Sequence, residues 1–242
     1  QANGAMKDIK ESFPNDTVFL LTTPPYINLM SNCPYINGVL IDKRLSKWNI
    51  FYLLRLKKMF ERFSFKKVFD LQNSSRTNFY RKFLFKGVDW SSSETSLELG
   101  QKKSDFDAEP VLKRMKIQLQ KSNIKTNFTE NLDLRWALTN IKPLINQHID
   151  RNYIALFPFS SEKHKKKVWP YYYELIKEAQ IVFGERYNIV IAPGPNEIKK
   201  AKNLNANTIL NNGKALNLIE LISFIKEASY VVSNDTGPAH IS

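Results

Sequence analysis

Cysteine is almost missing from this chain: Cys33 stands alone in 242 residues, which excludes an internal disulfide framework and fits a reducing compartment. Nothing beside it marks an activating base, so it reads as a small buried side chain rather than a nucleophile. No run of about 18 or more apolar residues occurs, and hence no helix of spanning length is encoded. The opening Gln1-Ala2-Asn3-Gly4 has neither an initiator methionine nor a signal-peptide pattern. The three histidines, His148, His164 and His240, are far apart and show no ligand spacing with carboxylates or cysteine, which argues against a metal site. A Gly-x-Gly-x-x-Gly fingerprint and a P-loop are also missing, which disfavours a dehydrogenase or an ATPase.

What the chain has is an ordinary folded composition, 43% apolar and 12% aromatic, at a length that suits one large domain or two small ones. Thirty-six Lys and Arg face 23 Asp and Glu, a net charge of +13. That excess suits polyanions: nucleic acid, anionic lipid head groups or phosphorylated sugars. The densest cluster, Lys163-His164-Lys165-Lys166-Lys167, is by default a solvated loop.

The pattern alternates helices with short apolar strands, which predicts parallel sheet covered on both faces. Ala5, Met6, Ile9 and Phe13 make a helical stripe, followed by strands at 18–21, 38–42 and 68–71. Ser46 is placed to cap a helix whose apolar face carries Phe51, Leu54, Met59 and Phe63. Residues 91–109 are polar and aperiodic and read as a mobile loop. A helix then opens at about Pro110, with Leu112, Met115 and Leu119 on one side. The interdomain connection is expected near 148, giving an amino-terminal domain over 1–148 and a carboxyl-terminal one over 149–242. In the second half, strands are expected at 153–156, 188–193, 208–210 and 230–233, with helices at 170–183, 196–203 and 216–228.

Three strand ends in that half carry chemistry. Phe157-Pro158-Phe159-Ser160-Ser161 leads into the lysine cluster and Trp169-Pro170, while Ile189-Val190-Ile191-Ala192 leads into Gly194-Pro195-Asn196-Glu197. The apolar run Tyr230-Val231-Val232-Ser233 leads into Asn234-Asp235-Thr236-Gly237-Pro238-Ala239-His240. Ligands in open α/β sheets sit just beyond the carboxyl ends of the strands, where these hydroxyls, lysine, glutamate, aspartate and histidine would stand. A helix starting after Pro238 would turn free N–H groups toward an anion such as a diphosphate. The plainer alternative is a strand–turn–helix junction with Asp235 or Thr236 as its cap and His240 packing the turn.

The order and spacing of Lys167-Val168-Trp169-Pro170, Gly194-Pro195-Asn196-Glu197 and Asp235-Thr236-Gly237-Pro238-x-His240 resemble the carboxyl-terminal domain of glycosyltransferase family 9, the heptosyltransferases of lipopolysaccharide core synthesis. Met6 to Pro14 is similar, more weakly, to that family's first helix, and Asp70-Leu71-Gln72 to one of its strand ends; residues 85–150 carry no matching motif. The resemblance implies the GT-B architecture: two Rossmann-like domains facing a cleft, with the chain truncated at both ends relative to family members. It implies an inverting, metal-independent transferase without a cofactor, taking a heptose from an ADP-heptose-type nucleotide sugar to an anionic lipid A–core acceptor. The carboxyl-terminal domain would bind the donor and the basic amino-terminal domain the acceptor. It further implies a cytoplasmic enzyme in peripheral contact with an anionic membrane surface.

By the same resemblance Lys167 contacts the donor phosphate, Glu197 the nucleoside and Asp235 the sugar hydroxyls, with His240 on the loop or the phosphate. Ser160, Ser161 and the backbone at Thr236 and Gly237 are candidates to stabilise the departing diphosphate. The catalytic base of the family is an aspartate on a loop before the first helix, a segment expected upstream of Gln1; Asp8 lies inside the helix and does not match it. Asp70 reads as a turn cap. Two alternatives stay open at this point: a related transferase using another nucleotide sugar, and a basic nucleic-acid-binding α/β protein, which rests on charge alone.

Overall fold

Short β-branched and aromatic runs set the strands, and the computed structural model of the chain describes residues 1–242 apart from the side chains of Glu162 and Lys163. The chain divides into two compact units, Gln1–Asp133 and Leu134–Ser242.

In the first unit, β1 (Phe19–Thr22) pairs in parallel with β2 (Gly38–Ile41), and β3 (Lys67–Phe69) with β4 (Asp89–Ser91). Gly38 sits opposite Phe19, where a Cβ would stand only 2.7 Å from the ring. Helix Asn3–Ser12 carries a buried Asp8 whose carboxylate accepts from the N–H groups of Asn127 and Phe128, each at 3.0 Å, and from the Thr129 hydroxyl at 2.6 Å. That aspartate ties the helix to a distant loop and is structural.

Two expectations for this unit fail for identifiable reasons. Asn49, not Ser46, caps helix Ile50–Glu61: its side-chain oxygen accepts from Tyr52 N at 2.9 Å, while the Ser46 hydroxyl accepts from Trp48 N in a local turn. The buried face of that helix is Tyr52, Leu56 and Phe60, whereas Phe51 and Leu54 point to solvent. Apolar residues occupy nearly every position of its first two turns, so periodicity alone selects no face; the hydrogen bond from the Tyr52 hydroxyl to buried Asp42 does. Residues 91–109 likewise are ordered rather than a plain loop, with β4, a 3-10 turn at Glu94–Ser96 and helix Lys103–Ala108. Ser91, Ser92, Ser93 and Ser96 are buried there; Ser92 and Ser96 are satisfied locally, as in the bond from Ser96 Oγ to Ser92 O at 2.7 Å, whereas Ser91 Oγ accepts from the Ser122 hydroxyl and Ser93 N donates to the Asn73 side chain. Side-chain-to-backbone pairing of this kind leaves no apolar period to detect.

The second unit is one parallel sheet, built of β5 (Tyr153–Phe157), β6 (Asn188–Ile191), β7 (Asn207–Thr208) and β8 (Tyr230–Ser233) in the order β7-β6-β5-β8. Alternate residues of β5 face opposite cores. Tyr153, Ala155 and Phe157 pack with Phe224 and Ile225 of helix Leu218–Glu227, while Ile154 and Leu156 pack with Ile176 and Ala179 of helix Tyr172–Phe183. Burial on both faces explains why β5 and β6 read as continuous apolar runs, while the edge strand β8 is only partly buried. Ile141, Ile145 and Ile149, on and beside helix Lys142–His148, join the first of these cores. From β5 the chain moves outward through β6 to β7 and then returns to the opposite side of β5 as β8. The direction of winding therefore reverses between β5 and β8, which puts a topological switch point at their carboxyl ends.

Candidate functional site

The loops leaving β5 and β8 are joined at that switch point. The segment after β5 turns at Ser160, whose hydroxyl donates to His164 O at 2.9 Å, and continues as the 3-10 stretch Glu162–Lys167, with Ser161 at its amino-terminal cap position. Beyond β8, Asn234 is buried. Its side-chain oxygen accepts from Trp169 N at 3.0 Å and its backbone N–H donates to Phe157 O at 3.4 Å, so one asparagine holds the two loops in register.

The stitch brings Lys167 to the Asp-Thr-Gly turn. Lys167 Nζ lies 2.5 Å from Asp235 Oδ2 and 3.3 Å from the Asp235 carbonyl oxygen, and His240 Nε2 lies 3.6 Å from Asp235 Oδ1. Hydrogen bonding to Lys167 and its charge, with His240 adding, hold the Asp235 carboxyl below the ordinary carboxylate range. All three groups are substantially exposed, so the pair is open to exchange with a solute anion. Thr236 closes the turn, its N–H donating to Asn234 O at 2.7 Å. Gly237 has ordinary helical angles and open space where a Cβ would stand, so neither strain nor packing calls for glycine; it leaves the backbone open to a ligand. The element after it is the short 3-10 turn Pro238–His240 rather than the expected longer helix.

Glu197 is placed differently. Its carboxylate turns back on its own loop at the end of β6, accepting from Gly194 N at 2.8 Å, and carries no bond to the Lys167–Asp235 cluster among the described residues. Lys167, Asp235 and His240 thus meet, Ser160, Ser161, Thr236 and Gly237 supply the turns that frame them, and Glu197 stands one strand over. Asn234 is the residue that sequence reasoning passed over. The available signal was an amide side chain directly after an apolar strand, a position where an unpaired polar group would be costly if buried.

The first unit has its own polar cluster past β2. Asp42 is buried and accepts from the hydroxyls of Tyr52 and Tyr80, the latter at 2.8 Å, and from Arg44 N at 2.6 Å, with Arg76 Nε 3.4 Å away. Burial alone would raise its pKa; those hydrogen bonds and the Arg76 charge overcome it and leave the carboxyl below its ordinary value. Burial and the carboxylate push the Tyr52 phenol up to about 12. Asp70, past β3, accepts from Gln72 N and Asn73 N at 3.1 and 2.9 Å and is a turn cap. Among the described residues, no group of three or more His, Cys, Asp or Glu is arranged to hold a metal ion.

Parallel sheet in both units and a cationic, hydroxyl-rich strand-end turn at a topological switch point define an α/β protein of the Rossmann-like class. A sequence profile of glycosyltransferase family 9 (heptosyltransferase) matches residues 53–242, and the chain belongs to that family. It is therefore a glycosyltransferase, and its fold is of the GT-B type. Among solved structures it is similar to the E. coli ADP-heptose LPS heptosyltransferase II, with TM-score 0.67, 15% identity and coverage of 99% of this chain and 76% of that one. It is also similar to E. coli heptosyltransferase WaaC with ADP-2-deoxy-2-fluoro heptose (TM-score 0.69, 15% identity, 99% and 80% covered). The family 9 glycosyl transferase from Veillonella parvula DSM 2008 matches at TM-score 0.72 and 14% identity, with 99% and 73% covered. Comparison with curated protein sequences returns no match.

Proposed function

We propose that this protein transfers a heptose, or a closely related sugar, from an ADP-sugar to an anionic glycolipid of the lipid A–core type, with inversion at the anomeric carbon. The observation that carries this reading is the Lys167–Asp235 contact at the carboxyl ends of β5 and β8. In the free protein the Asp235 carboxylate stands where an anion is wanted, and the donor diphosphate would take over Lys167 while Asp235 turns to the sugar hydroxyls. As the bond between the anomeric carbon and the phosphate oxygen breaks, negative charge grows on the departing diphosphate. Lys167, the Ser161 hydroxyl, that of Ser160 once it turns from His164 O, and the open backbone at Thr236 and Gly237 would stabilise it, each such donor contributing on the order of 3 kcal/mol. An acceptor hydroxyl attacks from the opposite face and loses its proton to a base. Glu197, on the neighbouring strand end, would bind the nucleoside, and His240 would keep Asp235 oriented. A fixed ammonium takes the part that a divalent cation plays in other transferases.

Calorimetric titration of ADP in buffer with and without EDTA, beside GDP, UDP and duplex DNA at fixed salt, tests it. The reading expects ADP to bind equally well with chelator and to be preferred over the other two nucleotides. Binding that vanishes with EDTA would reject the lysine-based site. Equal affinity for all three nucleotides, with DNA much tighter and steeply salt-dependent, would favour a nucleic-acid binder instead. The acceptor reading also implies that the protein works at a membrane surface carrying anionic lipid, although no described helix is long and apolar enough to cross a membrane.

A further inference from the structure

The solvent face of helix Ile50–Glu61 is unusual for a surface. Its inner face is filled: Tyr52, Leu56 and Phe60 are buried in the core of the first unit. Yet its outer face begins with large apolar groups, Phe51 at 87% and Ile50 at 67% exposure, with Leu54 one turn on from Ile50. Trp48, in the loop just before the helix, is 89% exposed. Because the opposite face is already packed, these four side chains cannot be drawn inward by a rotation of the helix. Together they form an apolar tip at its amino-terminal end.

The tip has a cationic collar. Lys43, Arg44 and Lys47 precede it and Arg55 and Lys58 follow it, all exposed. From 43 to 60 the sequence carries six basic residues and not one acidic residue. Protein–protein interfaces are depleted in lysine at their centre, and two copies of this chain meeting face to face here would oppose six positive charges with six more. An apolar tip of Trp, Ile, Phe and Leu ringed by Lys and Arg is instead the composition of a segment that lies in the head-group region of an anionic bilayer. The rings and aliphatic groups enter the acyl boundary while the long cationic side chains reach back to lipid phosphates.

We propose that residues 43–58 are the surface by which this protein docks on a bilayer rich in anionic phospholipid, with Trp48 and Phe51 entering the interface. The inference rests on the membrane-borne acceptor proposed above and names the surface that reaches it; it does not involve the donor-binding loops.

Flotation of the full chain with vesicles tests it. The chain should float with vesicles of equal parts phosphatidylglycerol and phosphatidylcholine, less so as salt rises, and much less with phosphatidylcholine alone. Trp48→Ser with Phe51→Ser should lower partitioning on the order of a hundredfold, the loss expected when two large rings no longer leave water. Lys43→Ser with Lys47→Ser should lower it more than about tenfold on the anionic vesicles only. Both pairs should keep the wild-type circular dichroism and ADP affinity. The proposal is overturned if the ring variant floats like the wild type, if neutral vesicles bind equally, or if this face instead drives concentration-dependent dimers that the ring variant abolishes. Should the ring variant lose flotation while no form of the protein binds ADP, the docking surface stands and the donor-site reading falls.

Discussion

Replacing Asn234 by alanine removes the buried side chain that fastens the loop after β5 to the loop after β8, beside the exposed Lys167–Asp235 contact. The carboxamide is buried, 5% exposed, and its oxygen is the acceptor for Trp169 N–H at 3.0 Å. The contact from its amide nitrogen to Phe157 O, at 3.5 Å, is long and contributes little, so the main loss is the Trp169 bond. A partly buried N–H left without a partner costs about 1–3 kcal/mol. Lys167 stands two residues before Trp169, so the ammonium loses its placement along with the loop. Asn234→Ala should therefore lower the stability of the second unit by that amount in equilibrium urea unfolding. In a calorimetric titration it should also weaken ADP by about tenfold, the equivalent of roughly 1.4 kcal/mol. Unfolding within about 0.5 kcal/mol of the wild type together with unchanged ADP affinity would refute the reasoning, because surface substitutions without a structural role behave that way.

Two further outcomes follow from the charges. Asp235→Asn should leave ADP bound at least as tightly, since it frees Lys167 from its carboxylate partner, but should erode the advantage of an ADP-sugar over ADP; titration of both ligands reads the difference. Asp42 has a folded-state pKa below the ordinary 3.8, so its stabilising effect is complete above that value and is lost as pH falls through the lower folded-state value. The stability gap between wild type and Asp42→Asn, followed by urea unfolding from about pH 6 down to about pH 2, should be widest at the upper end and narrow as pH falls.

Much of the second unit was legible because β5 and β6 are buried on both faces and announce themselves as apolar runs, and the partly buried edge strand β8 carries a similar run. Strands at 153–156, 188–193 and 230–233 and the helices between them were all visible in outline, and Asn217 with Glu220 forms a reciprocal cap where the expected helix 216–228 begins. The three strand-end motifs were legible by residue type, and Lys167, Asp235 and His240 do meet. Their pairing was not legible, because it depends on the register of β8 beside β5, a contact across 68 residues. Asn234 went unnoticed because a single buried amide leaves no periodic trace. In the first unit, helix Ile50–Glu61 misled because apolar residues surround its first two turns; the inner face is chosen by a tyrosine–aspartate hydrogen bond, which no pattern encodes. The serine-rich segment past β4 misled for the opposite reason: its buried groups are polar, satisfied by neighbours three or four residues away or, for Ser93, by Asn73.

The most direct test of the donor site is to titrate ADP onto Lys167→Ala beside Lys165→Ala and Lys166→Ala. All three lysines share one exposed 3-10 stretch, but it is Lys167 that is bonded to Asp235 at the switch point. Lys167→Ala should weaken ADP by roughly 1.5–3 kcal/mol, the worth of a hydrogen bond to a charged group, and each of the other two by well under about 1 kcal/mol, the range of an exposed charge acting through solvent. Equal losses in all three variants, or an unchanged Lys167→Ala, would contradict the placement of the donor diphosphate at the ends of β5 and β8.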